Sequence, residues 1–243
     1  MKLSSNTILI TGGSSGIGFA IAQRFIKAGN KVIICGRRES KLAEAKKKLG
    51  DVTTRVCDIG KTKERESLFN WVTKEFSQLN VLVNNAGIQQ RIKLTDGHDW
   101  KRMDEELSIN LDAPIHLSSL FIPHLLKQNN PVIMNITSGL AFVPMASAPI
   151  YCATKAALHS YTLSLRHQLS NTPISVIEII PPAVQTDLGG VGLHKYATPL
   201  DEFADDVFTK LKAGAIETAY GFAEKSSNAS RADLEAAFKR MNG

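Results

Sequence analysis

Short apolar, β-branched runs recur along the chain: TILIT at 7–11, KVIIC at 31–35, TTRVC at 53–57, NVLVN at 80–84, PVIMNIT at 131–137 and ISVIEII at 174–180. Each has the length of a buried strand. Between them apolar positions return every three or four residues, as at Ile17, Ile21, Phe25 and Ala28, which is the period of a helix buried along one side. Strands that alternate with helices in this way pair in parallel, with right-handed crossovers on both faces of a sheet. The pattern therefore predicts an α/β fold: a doubly wound, mostly parallel sheet of six to seven strands with helices on both faces. No linker rich in Ser, Pro or Gly and no internal repeat interrupts it, so residues 1–243 are expected to form a single domain.

Three segments depart from simple alternation. Residues 99–127 are too long for one ordinary helix and are expected to form two that meet near Asn110. The stretch QTDLGGVGLHKYAT at 185–198 is rich in glycine and has no period, as suits a mobile flap over a site. Ser230 and Asp233 make a capping-box pattern ahead of LEAAFKRM, which predicts a last helix.

Composition narrows the function classes. The formal net charge is +6, with much of the positive charge between Arg37 and Arg65, yet Glu39, Glu44, Asp51, Asp58, Glu64 and Glu66 interleave with it. That reads as a solvated helix face rather than a stripe that tracks phosphates, so no nucleic-acid partner is expected. Apolar runs such as VIEII at 176–180 are too short to span a bilayer, and the N-terminal residues lack a secretory apolar region, so a soluble cytoplasmic protein with no membrane partner is expected. Cys35, Cys57 and Cys152 are odd in number and scattered, which suggests neither a disulfide framework nor a zinc site. His98, His116, His124, His159, His167 and His194 show no metal-ligand spacing and read as surface or packing residues; no metal is expected.

Candidate chemistry begins after the first strand. Gly12, Gly16 and Gly18, with Ser14, Ser15 and Ile17 between them, form a strand-loop-helix whose backbone can turn tightly and approach a pyrophosphate at the positive end of a helix. The second strand ends in Gly36-Arg37-Arg38, where an acidic residue would hold a free ribose hydroxyl; arginines there suit a 2'-phosphate, favouring NADP(H), with NAD(H) the other option. Tyr151 and Lys155 stand four apart on one predicted helix, so their polar tips share a face. A neighbouring cation draws a phenol, whose ordinary pKa is about 10, towards working pH. A lone Y-x-x-x-K also occurs on solvated helix faces.

Together, TGGSSGIG at 11–18, NNAG at 84–87, Asn110, Ser138 and YCATK at 151–155 resemble the short-chain dehydrogenase/reductase family over roughly residues 5–190. The resemblance implies an extended Rossmann fold, a nicotinamide cofactor and reversible hydride transfer at a carbonyl or alcohol carbon of a small, partly apolar substrate. It implies that Tyr151 is the general acid and base, that Lys155 lowers its pKa and holds the nicotinamide ribose, that Ser138 hydrogen-bonds the reacting oxygen, and that Asn110 holds a water connecting Lys155 to solvent. It brings Asn85, Ala86 and Gly87 beside the cofactor, Asp58 and Ile59 to the adenine, and Pro181, Val184 and Thr186 to the nicotinamide end. Leu140, Phe142, Val143 and Met145, with Leu188, Val191 and His194 of the flap, read either as the lining of an apolar substrate pocket or as ordinary packing under a loop.

Pro181-Pro182 departs from the family's usual Pro-Gly, and the tail lacks its usual ending; both features resemble the bacterial DltE-type oxidoreductases. The replaced tail favours a homodimer built from the helices of 100–127 and 152–169 over a tetramer, which stays possible. The alternative to catalysis is a silent NADP(H)-binding sensor or scaffold on the same fold. An epimerase on this fold is a third reading.

Overall fold

The computed structural model describes residues 2–97 and 99–243; the reading of His98 falls outside the described residues. β1 (Thr7–Thr11), β2 (Lys31–Gly36), β3 (Val52–Val56), β4 (Val81–Asn84), β5 (Val132–Ile136) and β6 (Ser175–Ile180) coincide with the six apolar runs to within a residue or so. β7 (Glu217–Ala219) has only three residues and no apolar period, and its place comes from pairing with β6, Glu217 opposite Glu178. The sheet order is β3-β2-β1-β4-β5-β6-β7, and every pairing is parallel.

Alternate strand residues enter opposite cores, as period-2 geometry requires. Ile8 and Ile10 of β1 join Val81 and Val83 of β4 on one face, covered by α1 (Gly16–Lys27), α2 (Glu39–Leu49) and α7 (Leu200–Lys212) through Ile21, Phe25, Leu42, Phe203 and Val207. Leu9 and Leu82 point the other way, against α3 (Thr62–Glu75), α5 (Ala113–Leu125) and α6 (Pro149–Gln168) through Leu68, Leu117, Phe121 and Leu165. Each fully buried Leu, Ile or Phe contributes about 1.5–3 kcal/mol, so this double layer holds the sheet rigidly enough to aim side chains.

The segment 99–127 does form two helices. α4 (Trp100–Leu107) and α5 are joined by a single π-helical turn, Ser108–Asp112, which carries Asn110. Such a turn admits an extra residue and redirects one side chain, a device concentrated at functional sites. Residues 185–198 hold turns and no helix; their neck is pinched by a bridge between Val184 and Thr198 and by Thr198 N donating to Ala183 O at 3.1 Å. After α8 (Phe222–Ser227), the capped last helix is α9 (Arg231–Asn242): Asp233 N donates to Ser230 Oγ at 3.2 Å. α9 has no buried residue, so it is held by polar contacts rather than by a core.

Among the described residues, no helix is long and apolar enough to cross a membrane, and no group of three or more His, Cys, Asp or Glu gathers as a metal set. Cys35, Cys57 and Cys152 are free and buried.

Candidate active site

The strand order reverses between β1 and β4: the chain leaves β3 on one side of β1 and returns on the other. In an open parallel sheet the crevice at that reversal, beyond the strand ends, is where ligands bind. The glycine loop follows β1 and the NNAG stretch follows β4, so the reversal brings them together. Gly12 has φ +66 and Gly16 φ +55, left-handed conformations that glycine takes without strain. A Cβ on Gly18 would lie 2.3 Å from Asn85 Nδ2 and 2.6 Å from Gly12 O.

That crowding reflects a latch. Asn85 Nδ2 donates to Thr11 O at 2.8 Å and to Gly12 O at 3.2 Å, while Thr11 Oγ1 accepts from the backbone N–H groups of Asn85 and Ala86 at 3.0 and 3.1 Å. Thr11 was not singled out from sequence, although a hydroxyl at the strand's last residue is the signal. Asn85 acts here through the loop, its amide being occupied by loop carbonyls. The first turn of α1 has no acidic residue and no side-chain cap from Ser15, which leaves its N–H groups free for an anion. Thr186 lies over this cradle, its methyl 3.3 Å from where a Gly16 Cβ would stand. Val184 beside it is buried in the core.

Ser14 Oγ faces Gly36 across the end of β2. Arg37 and Arg38 next to it are exposed, and Arg37 Nη1 pairs with Glu105 Oε1 of α4 at 2.6 Å. Asp58 turns its Oδ1 onto Gly60 N at 3.1 Å, and buried Arg65 donates to Ile59 O at 2.6 Å, which shapes the bend after β3.

The four catalytic candidates converge from three elements. Ser138 follows β5, Tyr151 and Lys155 lie on α6, and all three are buried, as is Asn110. Ser138 Oγ accepts from Leu140 N at 3.1 Å, which leaves its proton free to be donated elsewhere. Gly139 N donates to Pro181 O at 2.9 Å, tying this turn to the double proline. Lys155 Nζ donates to Ile136 O at 2.8 Å and lies 5.7 Å from the Tyr151 ring. Gly87 borders the ammonium: its Cβ would stand 3.8 Å from Nζ.

Burial raises the Tyr151 pKa, with the Ser138 hydroxyl working in the opposite direction and Cys152 and Glu106 adding to the rise. Burial likewise lowers Lys155 to about 8, since both groups lose hydration in their charged forms. The Asn110 side chain is bonded to the chain: Oδ1 accepts from Ile88 N at 2.9 Å, and Nδ2 donates to Ile88 O at 2.8 Å and to Thr154 Oγ1 at 3.3 Å. It clamps the NNAG loop to α6.

Of the expected pocket residues, Leu140, Met145 and Leu188 pack with Tyr151, Cys152 and Ala148 into an apolar wall. Val143 is instead core, Phe142 meets His159, His194 turns back onto Leu188 O at 2.9 Å, and Val191 is 86% exposed. Glu106, overlooked in the sequence among its acidic neighbours, is fully buried; Gln90 N donates to its Oε1 at 3.0 Å, and burial pushes its pKa up to about 7.

The tail reaches the same wall. Asn242 Oδ1 accepts from Ala146 N at 2.6 Å, and its Nδ2 donates to Pro144 O at 3.0 Å. Net contributions of about 0.5–1.5 kcal/mol per bond imply that Asn242→Ala will speed amide exchange at Ala146 by about tenfold. Hydrogen-exchange mass spectrometry over 140–150 checks this, and an unchanged rate would mean that α9 does not hold the loop.

A short-chain dehydrogenase family model matches residues 6–194. The chain therefore belongs to the short-chain dehydrogenase family and is an oxidoreductase of that family. It is 47% identical over 248 aligned residues to the uncharacterized oxidoreductase DltE of Bacillus subtilis strain 168, covering 100% of this chain and 98% of the relative. An uncharacterized oxidoreductase of Staphylococcus saprophyticus is 33% identical, covering 83% of this chain and 89% of that protein. Among solved structures, a short-chain dehydrogenase from Sphingobium yanoikuyae in complex with NADPH superposes with a TM-score of 0.82 at 24% identity, covering 97% of this chain and 94% of that one. One from Burkholderia cenocepacia in complex with NADP gives 0.85 at 23% identity and covers 99% of each chain.

Proposed function

We propose that the protein is an NADP(H)-dependent carbonyl reductase or alcohol dehydrogenase of small, partly apolar substrates. The observation that carries this reading is the burial of Ser138, Tyr151 and Lys155 together at the sheet reversal, next to a glycine loop whose helix N-terminus is free for an anion. The site fits the cofactor: side chains at Gly12 or Gly18 would fill the cradle, and Ser14, Arg37 and Arg38 surround Gly36. When bound, the nicotinamide supplies or accepts the hydride. Gly16, Ile17 and Gly18 would hold the pyrophosphate, Asp58 and Ile59 the adenosine, Ala86 and Gly87 the centre, and Pro181, Val184 and Thr186 the carboxamide end.

Tyr151 donates its proton to the carbonyl oxygen in reduction and removes it from the alcohol in oxidation. Ser138 donates a hydrogen bond to the same oxygen as charge develops there. Lys155 carries the positive charge that favours the phenolate and would bond the ribose hydroxyls. Leu140, Met145 and Leu188 exclude water and select apolar substituents. A sensor or scaffold would gain nothing from a buried proton-transfer pair, which favours turnover. We place the protein in the cytoplasm and expect a homodimer, for which exposed Trp100, Leu126 and Leu163 on α4, after α5 and on α6 offer apolar surface.

NADPH and NADH oxidation with a panel of aldehydes, ketones, diketones, quinones and keto esters tests the reading; NADPH binding without turnover on any of them would count for the sensor. Cofactor choice has a separate test. The Arg37–Glu105 pair is half exposed on both sides, and such pairs contribute only about 0–1 kcal/mol, so a doubly charged phosphate competes well for the guanidinium. Arg37→Ala is expected to weaken NADPH by about tenfold or more and NADH by less than about threefold in fluorescence titration. Equal losses would remove Arg37 from cofactor choice.

A further inference from the structure

Beneath Ser138 lies a buried polar cluster that the proton-transfer groups do not include. Glu178 sits in the middle of β6 and is fully buried. Its Oε1 accepts from Thr137 Oγ1 at 2.6 Å, and its two oxygens lie 2.9 and 3.0 Å from His159 Nδ1. One carboxylate thus joins three elements: β6, the residue after β5, and α6.

The ends of this cluster are the neighbours of the candidate reacting groups. Thr137 is bonded directly to Ser138, and its N–H donates to Ile179 O at 2.9 Å. His159 stands one turn beyond Lys155 and two turns beyond Tyr151 on the same helix face. Its ring also meets the Phe142 ring edge-on, with centroids 4.8 Å apart, and Phe142 ends the short 3-10 turn Gly139–Ala141 that starts after Ser138. The chain on both sides of Ser138 is therefore anchored to α6 through one histidine.

Stability alone gives no reason for the arrangement. A carboxylate at the centre of VIEII is costly to desolvate, and apolar replacement of a buried ion pair is often neutral or stabilising. Glu178 is the largest influence raising the His159 pKa and Glu217 of β7 adds to it, while burial and Arg166 of α6 oppose, so the carboxylate favours a protonated ring beside it. What an ion pair adds over apolar packing is a fixed direction and distance between the elements it joins.

We infer that Glu178 and His159 are positioning residues that set the separation between the Ser138 hydroxyl and the Tyr151 phenol by clamping Thr137 to α6. This rests on the proposed pairing of Ser138 and Tyr151 at the reacting oxygen.

Two variants test it. His159→Leu/Glu178→Leu removes both polar groups at once, so neither is left buried without its partner, and Thr137→Val deletes only the hydroxyl that links the pair to Ser138. The protein is labelled with fluorotyrosine, and the Tyr151 fluorine resonance is identified by its absence from Tyr151→Phe. In both variants that resonance is expected to move or broaden while the melting temperature stays within about 5 °C. With NADPH and phenanthrenequinone, kcat is expected to fall by about tenfold with the NADPH Kd changed by less than about twofold, the signature of misaligned groups rather than lost binding. An unmoved Tyr151 resonance in Thr137→Val overturns the clamp, and so does an unchanged kcat. Should the double variant fail to fold, Thr137→Val decides alone. A wild type that reduces none of the carbonyl panel overturns the proposed function instead, and the fluorine resonance still decides whether the clamp exists.

Discussion

Tyr151→Phe is expected to lower carbonyl turnover by about three orders of magnitude while leaving the NADPH Kd within about threefold, because the substitution deletes the proton that the proposed reaction passes to the substrate oxygen. The ring keeps its place in the wall of Leu140, Met145, Ala148 and Leu188, so no cavity opens and the melting temperature should hold. The pH dependence of the wild type follows from the two shifts. Burial raises the phenol and lowers Lys155 to about 8, so around pH 7 both protons are in place and the site is set to donate. In the proposed reaction oxidation needs the phenolate, so its rate should climb with pH, whereas reduction should be flat from about pH 6 to 7 and fall as pH rises through the Lys155 pKa of about 8. Steady-state rates of wild type and variant in both directions check this. Retention of most of the activity by the phenylalanine variant would remove Tyr151 from the reaction.

Gly18→Ala should abolish cofactor binding at ordinary concentrations, weakening NADPH by about a hundredfold, with the sheet intact. The added methyl would sit 2.3 Å from Asn85 Nδ2 and 2.6 Å from Gly12 O, so either the Asn85 latch or the start of α1 has to move. Both carry the phosphate cradle, and a one-ångström displacement there costs every N–H contact at once. Overpacking of this kind costs about 1–3 kcal/mol, so the melting temperature should fall by several degrees without loss of the fold. Calorimetric titration with NADPH, set beside a thermal melt, separates the two effects. A Kd within about threefold of wild type would mean that the loop accommodates the methyl and that the latch does not shape the cradle.

The two variants probe separate halves of the site. Tyr151 tests the proposed chemistry at the end of the sheet near α6, and Gly18 tests the proposed grip on the far side of the reversal. Arg37 lies exposed after β2, where its partner Glu105 comes from α4. That pairing could not be read from the linear order, since sixty-eight positions separate the two residues. The same holds for Glu106, which looks like one more surface acid in DEEL yet is fully buried, with its pKa pushed up to about 7 by that burial.

The linear sequence by itself determined the strand and helix order, the parallel pairing and the identity of the catalytic and glycine-loop candidates. Those properties are local or periodic: alternating strand residues must find two faces, and Tyr151 and Lys155 share a helix side wherever the helix lies. The short β7 was not legible because ETA has no apolar period, and it is a strand only because β6 offers it an edge. Tertiary structure alone decided what each polar group bonds to. Asn85 latches the glycine loop, Asn110 clamps Ile88, and Glu178 joins Thr137 to His159, all across twenty or more positions of sequence except the short step from His159 to Glu178. It also decided how far each of Tyr151 and Lys155 is desolvated, because that depends on how completely the surrounding chain excludes water, which spacing along a helix does not reveal.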